Sequence, residues 1–318
     1  MYWKYAGTQY KSKFAAIDAA GSKLDQITFH AFDESFKDFD YSVEPLESHE
    51  QLLKERCLEI RDNYSYIKLF FSGGSDSTTV LNTFIKNDIP IDEIIIYRYS
   101  LDDDIFNPSN DEVNKYTIPF SKTLNTKVKV YDFKYDHFSS LLKNDNWFSK
   151  RNTLALRETD IPNIRGKNFC NLFCTPDPTI KYIDGSWHLV GWDTDVFTDL
   201  AKFRNVEHFF LSSKLLAKEG HMLKNYCKNK KVNYSKQLLR DLLRHKPVAK
   251  EQIFKSDIED HGLIVNPAVI NGKERLLLKN ASQETKDKYR YILSTPINNM
   301  PLVRLIRGYE FYKFNLGD

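Results

Sequence analysis

Residues 67–78 read IKLFFSGGSDST, a short apolar run followed at once by a turn rich in glycine and serine. A largely apolar run of this length is typical of a strand that is buried on both faces of a sheet. The two glycines allow the backbone to turn sharply and to approach a ligand without an intervening Cβ atom. A helix is predicted over residues 77–87, so the stretch indicates strand, loop and helix in succession.

The loop in this stretch has side chains that suit a phosphate group. The helix after it presents unpaired N–H groups and a partial positive charge, and together with the loop these form an anion cradle. Hydroxyl donors are added by Ser72, Ser75, Ser77 and Thr78. A carboxylate is unsuited to bare phosphate, but Asp76 fits a magnesium ion, because Mg²⁺ takes oxygen ligands and phosphate together. A Gly-Ser turn that merely caps a helix is the simpler alternative.

Strands and helices alternate after this loop. Further strands are predicted at residues 91–99, 127–133 and 187–192, and a helix at Asp111–Leu124. Such alternation predicts a parallel sheet with right-handed crossovers. We therefore expect a doubly wound α/β core with Rossmann-like or flavodoxin-like topology, which binds its ligand across the carboxyl ends of the strands.

The chain divides into three regions by sequence pattern. Residues 1–66 predict a small N-terminal α+β extension, and residues 67–206 an α/β core that begins with the phosphate loop. Residues 207–318 predict a mainly helical lobe packed on the sheet. The N-terminal extension ends in a helix that starts at Ser48, where Gln51 three residues later fits a capping box.

Bulk composition indicates a soluble globular chain. Of its 318 residues, 41% are hydrophobic and 28% are charged, which excludes a disordered chain. The net charge of +3 does not indicate a nucleic-acid partner such as tRNA or DNA. No apolar run predicts a membrane span, and the first residues lack the apolar centre of a signal peptide. Four cysteines are too few for a disulfide framework here, so we expect a reducing, cytoplasmic environment.

The loop resembles the SGGxDS signature of the PP-loop superfamily, the adenine nucleotide alpha hydrolases. It lacks the lysine and the spacing of a Walker A loop. The resemblance implies that ATP and Mg²⁺ are the cofactors, that attack falls on the α phosphorus, and that AMP and pyrophosphate are released. It implies that Asp76 organises the metal. The residues it assigns to nucleotide binding are Ser72, Gly73, Gly74, Ser75, Asp76, Ser77 and Thr78.

The end of the second predicted strand is where PP-loop enzymes place the adenine. The resemblance therefore implies that Tyr97 and Arg98 lie on the adenine side of the site. An ordinary strand end, without contact to a nucleotide, is the alternative.

Two later stretches resemble the C-terminal domain of asparagine synthetases. Residues 234–243 are similar to its K-x-L-L-R-x-A helix. Residues 190–197 are loosely similar to its G-x-G-x-D-E-L-F segment, with Trp192 in place of the second glycine. This resemblance implies that Asp195 supports the metal or the leaving group. An ordinary helix and an ordinary strand end are the alternatives.

A lysine or arginine is expected to neutralise the leaving pyrophosphate, with Lys250 of the helical lobe or Lys202 just before that lobe as the choices. The resemblance does not extend to a glutaminase domain, which needs a cysteine at position 2 where this chain has Tyr2. Ammonia derived from glutamine would then come from a partner chain.

Cys170 and Cys174 are separated by three residues. Zinc sites favour C-x₂-C pairs with two further ligands, and the remaining cysteines are isolated. Buried structural thiols, a sulfur-transfer role and a zinc site all remain open for this pair.

Three functions remain open for the chain as a whole. The first is adenylation of a carboxylate or amide oxygen, followed by attack of an amine or ammonia. The second is a PP-loop sulfur-transfer or sulfonucleotide-reductase-like enzyme that uses Cys170 or Cys174. The third is a nucleotide-binding regulatory protein without turnover. The sequence names neither the acceptor nor the nucleophile, and it leaves a homo-oligomer open.

Overall fold

The computed structural model describes only part of the chain. The described residues are 2–10, 16, 19–20, 23, 26–30, 36, 38–100, 113–134, 168–174, 178–192, 205–245, 248 and 310–317. The predicted roles of Asp195, Lys202 and Lys250 fall outside these residues and stay predictions.

The described strands and helices are numbered along the chain. They are β1 (Tyr2–Tyr5), β2 (Thr8–Tyr10), β3 (Thr28–His30), α1 (His49–Asn63), β4 (Tyr66–Phe70), α2 (Ser75–Lys86), β5 (Glu93–Ser100), α3 (Ile118–Lys122), β6 (Lys127–Lys134), β7 (Phe169–Phe173), β8 (Thr179–Ile183), β9 (Ser186–Trp192), β10 (Val206–His208), α4 (Ser213–Lys230), α5 (Lys236–Leu243) and β11 (Glu310–Asn315). A π-helical turn, Val113–Thr117, precedes α3.

Five parallel strands form the central sheet, in the order β10-β7-β4-β5-β6. The chain starts in the middle at β4, proceeds outward through β5 and β6, and then reverses to β7 and β10. This strand order is consistent with a Rossmann-like core, so the predicted parallel α/β character is confirmed, and helices on both faces stay a prediction. The reversal puts the topological switch point between β4 and β7.

One face of this sheet carries the main hydrophobic core. Side chains of β4, β5 and β7 alternate onto that face and pack against α1 and α2; among the buried ones are Leu53, Cys57, Ile67, Leu69, Val80, Phe84, Ile94 and Leu172. Burying each large apolar side chain contributes about 1.5–3 kcal/mol. The packing fixes α2, and with it the loop that precedes α2, against the centre of the sheet.

The strand predicted at residues 187–192 exists, but its expected place in the parallel sheet is wrong. It is β9, the middle strand of a separate antiparallel sheet in the order β11-β9-β8. Asp184 and Gly185 have positive φ angles of 52° and 84°. Two such residues form the tight turn that twists in the sense an antiparallel hairpin needs. The local turn therefore decides that β9 pairs with β8.

The fourth and fifth strands of the parallel sheet, β7 and β10, lie in stretches for which no strand is predicted. The short β10 crosses the boundary set at residue 206, and the strand β11 lies in the region expected to be mainly helical. That region does contain α4 and α5. The division into three domains stays a prediction.

The predicted helix Asp111–Leu124 is divided into the π-helical turn and α3. Pro119 lies in the first turn of α3. Because proline has no N–H group, it cannot donate the regular helical hydrogen bond, and the turn before it widens. Among the described helices, none is both long and apolar enough to span a bilayer.

Candidate functional site

The loop Ser72–Gly74 lies between β4 and α2, at the carboxyl edge of the central sheet. This is the switch point, where the connections leave β4 and its neighbour β7 in opposite directions. In open parallel sheets the crevice at this position is the usual ligand site. The structure thus places the predicted phosphate loop where the topology predicts a site.

Gly73 is required by both its backbone conformation and its surroundings. Its φ angle is +79°, which only glycine adopts without strain. A Cβ atom at this position would overlap Oγ1 of Thr117 and lie 3.2 Å from its Cβ. Thr117 Oγ1 also donates a hydrogen bond to the Ser72 carbonyl at 3.3 Å. The π-helical turn that ends at Thr117 therefore packs directly on the loop.

The loop hydroxyls stabilise the loop itself. Ser72 Oγ lies 3.1 Å from Ser77 Oγ and accepts the Gly74 N–H at 3.3 Å. Thr78 Oγ1 donates to the Gly73 carbonyl at 3.3 Å, and both Ser77 and Thr78 are buried. Ser72, in contrast, is exposed.

The backbone N–H groups of residues 75–77 are better placed to meet an anion. They belong to the first turn of α2, so the helix offers them no carbonyl partner, whereas Thr78 N–H already donates to the Gly74 carbonyl. Gly74 caps this helix without a side chain. The start of α2 thus combines free donors with the positive end of the helix dipole.

Asp76 pairs with an arginine that the sequence did not single out. Nε of Arg244 donates to Oδ1 of Asp76 at 2.9 Å. The same guanidinium binds both carboxylate oxygens of Glu219, with Nη2 to Oε2 at 3.1 Å. Nε2 of His49 lies 2.9 Å from Oε1 of Glu219. Four side chains from four segments thus form one ion network behind the loop.

The inner part of this network is fully buried. The side chains of Arg244 and Glu219 are 0% exposed, whereas that of Asp76 is 30% exposed. The guanidinium carbon of Arg244 also lies 3.8 Å from the ring centroid of Phe210. Burial acts to raise the pKa of Glu219, but the Arg244 charge, with hydrogen bonds from His49 and Arg244, brings that pKa below its usual value. Glu219 is therefore an ionised partner for Arg244.

The segment after α5 also contacts α2 and the loop, once each. His245 N–H donates to Thr79 Oγ1 at 2.8 Å, and Val248 N–H donates to the Gly73 carbonyl at 2.9 Å. Arg244 is the residue that ends the amphipathic helix α5. An arginine directly after such a helix is the only sequence signal that could have marked it.

Tyr97 and Arg98 lie on β5 beyond the end of β4, because Phe70 is the last residue of β4 and pairs with Ile95. The Tyr97 ring packs 5.4 Å from that of Phe70. Nη1 of Arg98 donates to Oδ1 of Asn114 at 3.2 Å, and Asn114 belongs to the π-helical turn that also contacts the loop. Both residues are near the site edge, and their contact with adenine stays a prediction.

Cys170 and Cys174 lie within and directly after β7, next to the central strand. Burial raises the pKa of both thiols, and the Asp76 carboxylate raises that of Cys174 further. Sγ of Cys174 is 4.0 Å from the Phe70 carbonyl. Within the part of the chain that the structure describes, no three His, Cys, Asp or Glu side chains are grouped to hold a metal. The arrangement favours protonated, structural thiols.

No family model matches this chain, and no curated protein does. Among solved structures, a similar chain is the NH3-dependent NAD synthetase from Campylobacter jejuni subsp. jejuni NCTC 11168 in complex with the nitrate ion. The two are 16% identical, with 74% of this chain and 95% of that chain covered, at a TM-score of 0.32. A likeness this loose has no bearing on the function of this chain.

Proposed function

We propose that this chain is an ATP pyrophosphatase of the PP-loop kind, which binds ATP and Mg²⁺ at residues 72–78, transfers AMP to a substrate and releases pyrophosphate. One observation supports this above the others: the SGGSDS loop joins β4 to α2 at the switch point of a parallel sheet. A loop in that position directs the N–H groups of a helix start toward the ligand crevice.

The groups of the loop fit a nucleotide with its metal. The N–H groups of residues 75–77 suit phosphate oxygens, and Gly73 and Gly74 let the backbone approach them. Asp76 supplies one anionic oxygen ligand, which suffices for Mg²⁺ because this ion keeps several waters and takes the rest from phosphates. When bound, Mg²⁺ would neutralise charge on the departing pyrophosphate.

Residues outside the loop bind the rest of the nucleotide and its products. Tyr97 and Arg98 lie on the adenine side, and Asp195 supports the metal or the leaving group. Lys250 or Lys202 neutralises the pyrophosphate. Catalysis would consist mainly of positioning and electrostatic stabilisation.

The acceptor in this proposal is a carboxylate or amide oxygen. Its adenylate is then attacked by an amine or by ammonia, as the resemblance of residues 234–243 to the asparagine synthetase helix suggests. A partner chain would supply the ammonia if glutamine is its source.

The second candidate function is that of a sulfur-transfer enzyme, and the position of Cys174 favours it. Cys174 directly follows the strand beside the loop and lies close enough to Asp76 for that charge to raise its pKa. The raised pKa argues against it, because the thiolate is the nucleophile in such chemistry. A regulatory protein that binds ATP without turnover is the third candidate.

The decisive experiment identifies the products formed from ATP in a screen of candidate acceptors. We expect AMP and pyrophosphate, with one heavy oxygen isotope carried from a labelled carboxylate acceptor into AMP. ADP with free phosphate would reject the proposal. Binding of ATP without any product in the whole screen would favour the regulatory protein.

Asp76→Asn tests the assignment of the loop. We expect Mg²⁺-dependent pyrophosphate release to fall at least a hundredfold while the fold stays intact. Asp62→Asn is the matched control, because Asp62 is an exposed carboxylate on α1.

Cys174→Ser should keep near-normal activity, and complete loss in a folded, ATP-binding Cys174→Ser protein would favour sulfur transfer.

A further inference from the structure

Arg244 is anchored so that it cannot turn away from Asp76. Its guanidinium binds both oxygens of Glu219, lies over the Phe210 ring and is fully buried. Leaving this position would remove the arginine charge from the buried Glu219 carboxylate and leave it only the contact with His49, which destabilises a buried charge. The ion pair with Asp76 is therefore a fixed part of the site.

This fixed cation uses one of the two oxygens of Asp76. Nε of Arg244 holds Oδ1 at 2.9 Å. Within the described residues, Oδ2 accepts no hydrogen bond, and the Asp76 side chain remains 30% exposed. A metal held by both oxygens at once would approach the buried guanidinium, and the two positive charges would repel each other. Asp76 can thus offer a cation one oxygen.

A one-oxygen carboxylate distinguishes between divalent cations. Mg²⁺ is small, requires octahedral geometry at about 2.0–2.1 Å, and typically takes a single oxygen from a carboxylate. Ca²⁺ takes about 6–8 ligands and often binds both oxygens of one carboxylate. Because Arg244 occupies Oδ1, Ca²⁺ cannot bind both oxygens of Asp76. Binding through one oxygen, as Mg²⁺ prefers, remains available.

We propose that Arg244 is a positioning residue that holds Asp76 as a one-oxygen ligand and so makes the nucleotide site select Mg²⁺ over Ca²⁺. Glu219 acts through Arg244 by fixing its guanidinium. This inference rests on the proposed function, because it requires ATP to bind at the loop with a metal.

The test compares ATP binding in MgCl₂ and in CaCl₂ by isothermal titration calorimetry. The main variant is Arg244→Met with Glu219→Met, since removing both buried charges leaves neither unpaired. Arg244→Lys is the second variant: it keeps a buried cation for Glu219 but lacks the Nε donor that holds Oδ1. Arg240→Met is the matched control, because Arg240 lies exposed near the end of α5, the helix that Arg244 directly follows.

We expect the wild-type protein and Arg240→Met to bind ATP at least tenfold more tightly with Mg²⁺ than with Ca²⁺. In the double variant and in Arg244→Lys the ratio should fall to about threefold or less, through tighter binding with Ca²⁺. A merely structural role would weaken binding with both metals alike. An unchanged ratio in either folded variant would overturn the proposed role of Arg244 but would leave the proposed function standing. Absence of metal-dependent ATP binding in the wild-type protein would overturn the proposed function, and this inference with it.

Discussion

At the scale of single residues, Gly73 is the position where the loop depends most on its neighbours. Replacing it with alanine adds both backbone strain at φ +79° and overlap with Thr117. We expect Gly73→Ala to lower the free energy of unfolding by about 2–6 kcal/mol, because strain and overpacking each contribute about 1–3 kcal/mol. Urea unfolding measures this change, and ATP binding should be lost as well.

A second glycine separates these two contributions. Gly185 has a φ angle of +84°, but a Cβ atom there would meet nothing within 4 Å. Gly185→Ala should therefore show the strain alone, about 1 kcal/mol. Equal losses for the two variants would mean that Thr117 does not restrict the loop.

Burial of His208 predicts that the free energy of unfolding falls in acid. Burial, with the nearby charge of Arg56, lowers its pKa to about 3. Because the unfolded chain has a histidine pKa of about 6.5, it takes up a proton first as the pH falls, and stability is lost between about pH 6.5 and pH 3. From pH 7 to pH 5 this loss should be about 2 kcal/mol.

The measurement is the free energy of unfolding at pH 7, 6 and 5. His208→Gln should show a pH dependence weaker by about 2 kcal/mol over that range. A His208→Gln protein with the wild-type slope would contradict the neutral state of this histidine.

At the scale of elements, helix starts differ in how they are capped. Ser48 caps α1, and its hydroxyl accepts the Gln51 N–H at 3.1 Å. The Gln51 side chain binds Glu55 instead of returning to Ser48, so the predicted capping box is half formed. Ser212 stands at the same position of α4 but makes no capping hydrogen bond from its side chain.

Ser48→Ala should therefore lower the free energy of unfolding by about 1 kcal/mol, the usual loss for an N-cap hydroxyl. Ser212→Ala should change it by less than about 0.5 kcal/mol. Denaturant unfolding of both variants checks the difference. Equal effects would show that the capping bond of Ser48 contributes nothing.

At the scale of the whole molecule, a second core joins distant parts of the chain. β11 pairs with β9, and the fully buried Leu316 follows β11. Leu316 packs beside Gly220 of α4, because a Cβ atom added at Gly220 would lie 3.1 Å from Cδ2 of Leu316. Lys224 Nζ donates to the Leu316 carbonyl at 2.7 Å. The residues at 310–317 thus close the packing of α4 against the antiparallel sheet.

Leu316→Ala should lower the free energy of unfolding by about 2–4 kcal/mol, since it leaves a cavity in this core. Leu46→Ala is the control, because the Leu46 side chain is 100% exposed and should change stability by less than about 0.5 kcal/mol. Unfolding followed by far-UV circular dichroism and by tryptophan fluorescence would measure both. A loss below about 1 kcal/mol for Leu316→Ala would mean that the site collapses without a cavity.

Local features of this protein can be predicted from its amino-acid sequence alone. Apolar runs, glycines and capping residues act over a few neighbours, and they were enough to predict β4, α2, the loop between them and the parallel character of the core. Features that depend on partners far apart in the chain are established only by tertiary packing. Asp76 meets Arg244 across 168 positions, and β9 pairs along its second edge with β11 at residues 310–315. Such pairings depend on which surfaces remain to be buried once local elements have formed, and spacing along the chain does not encode them.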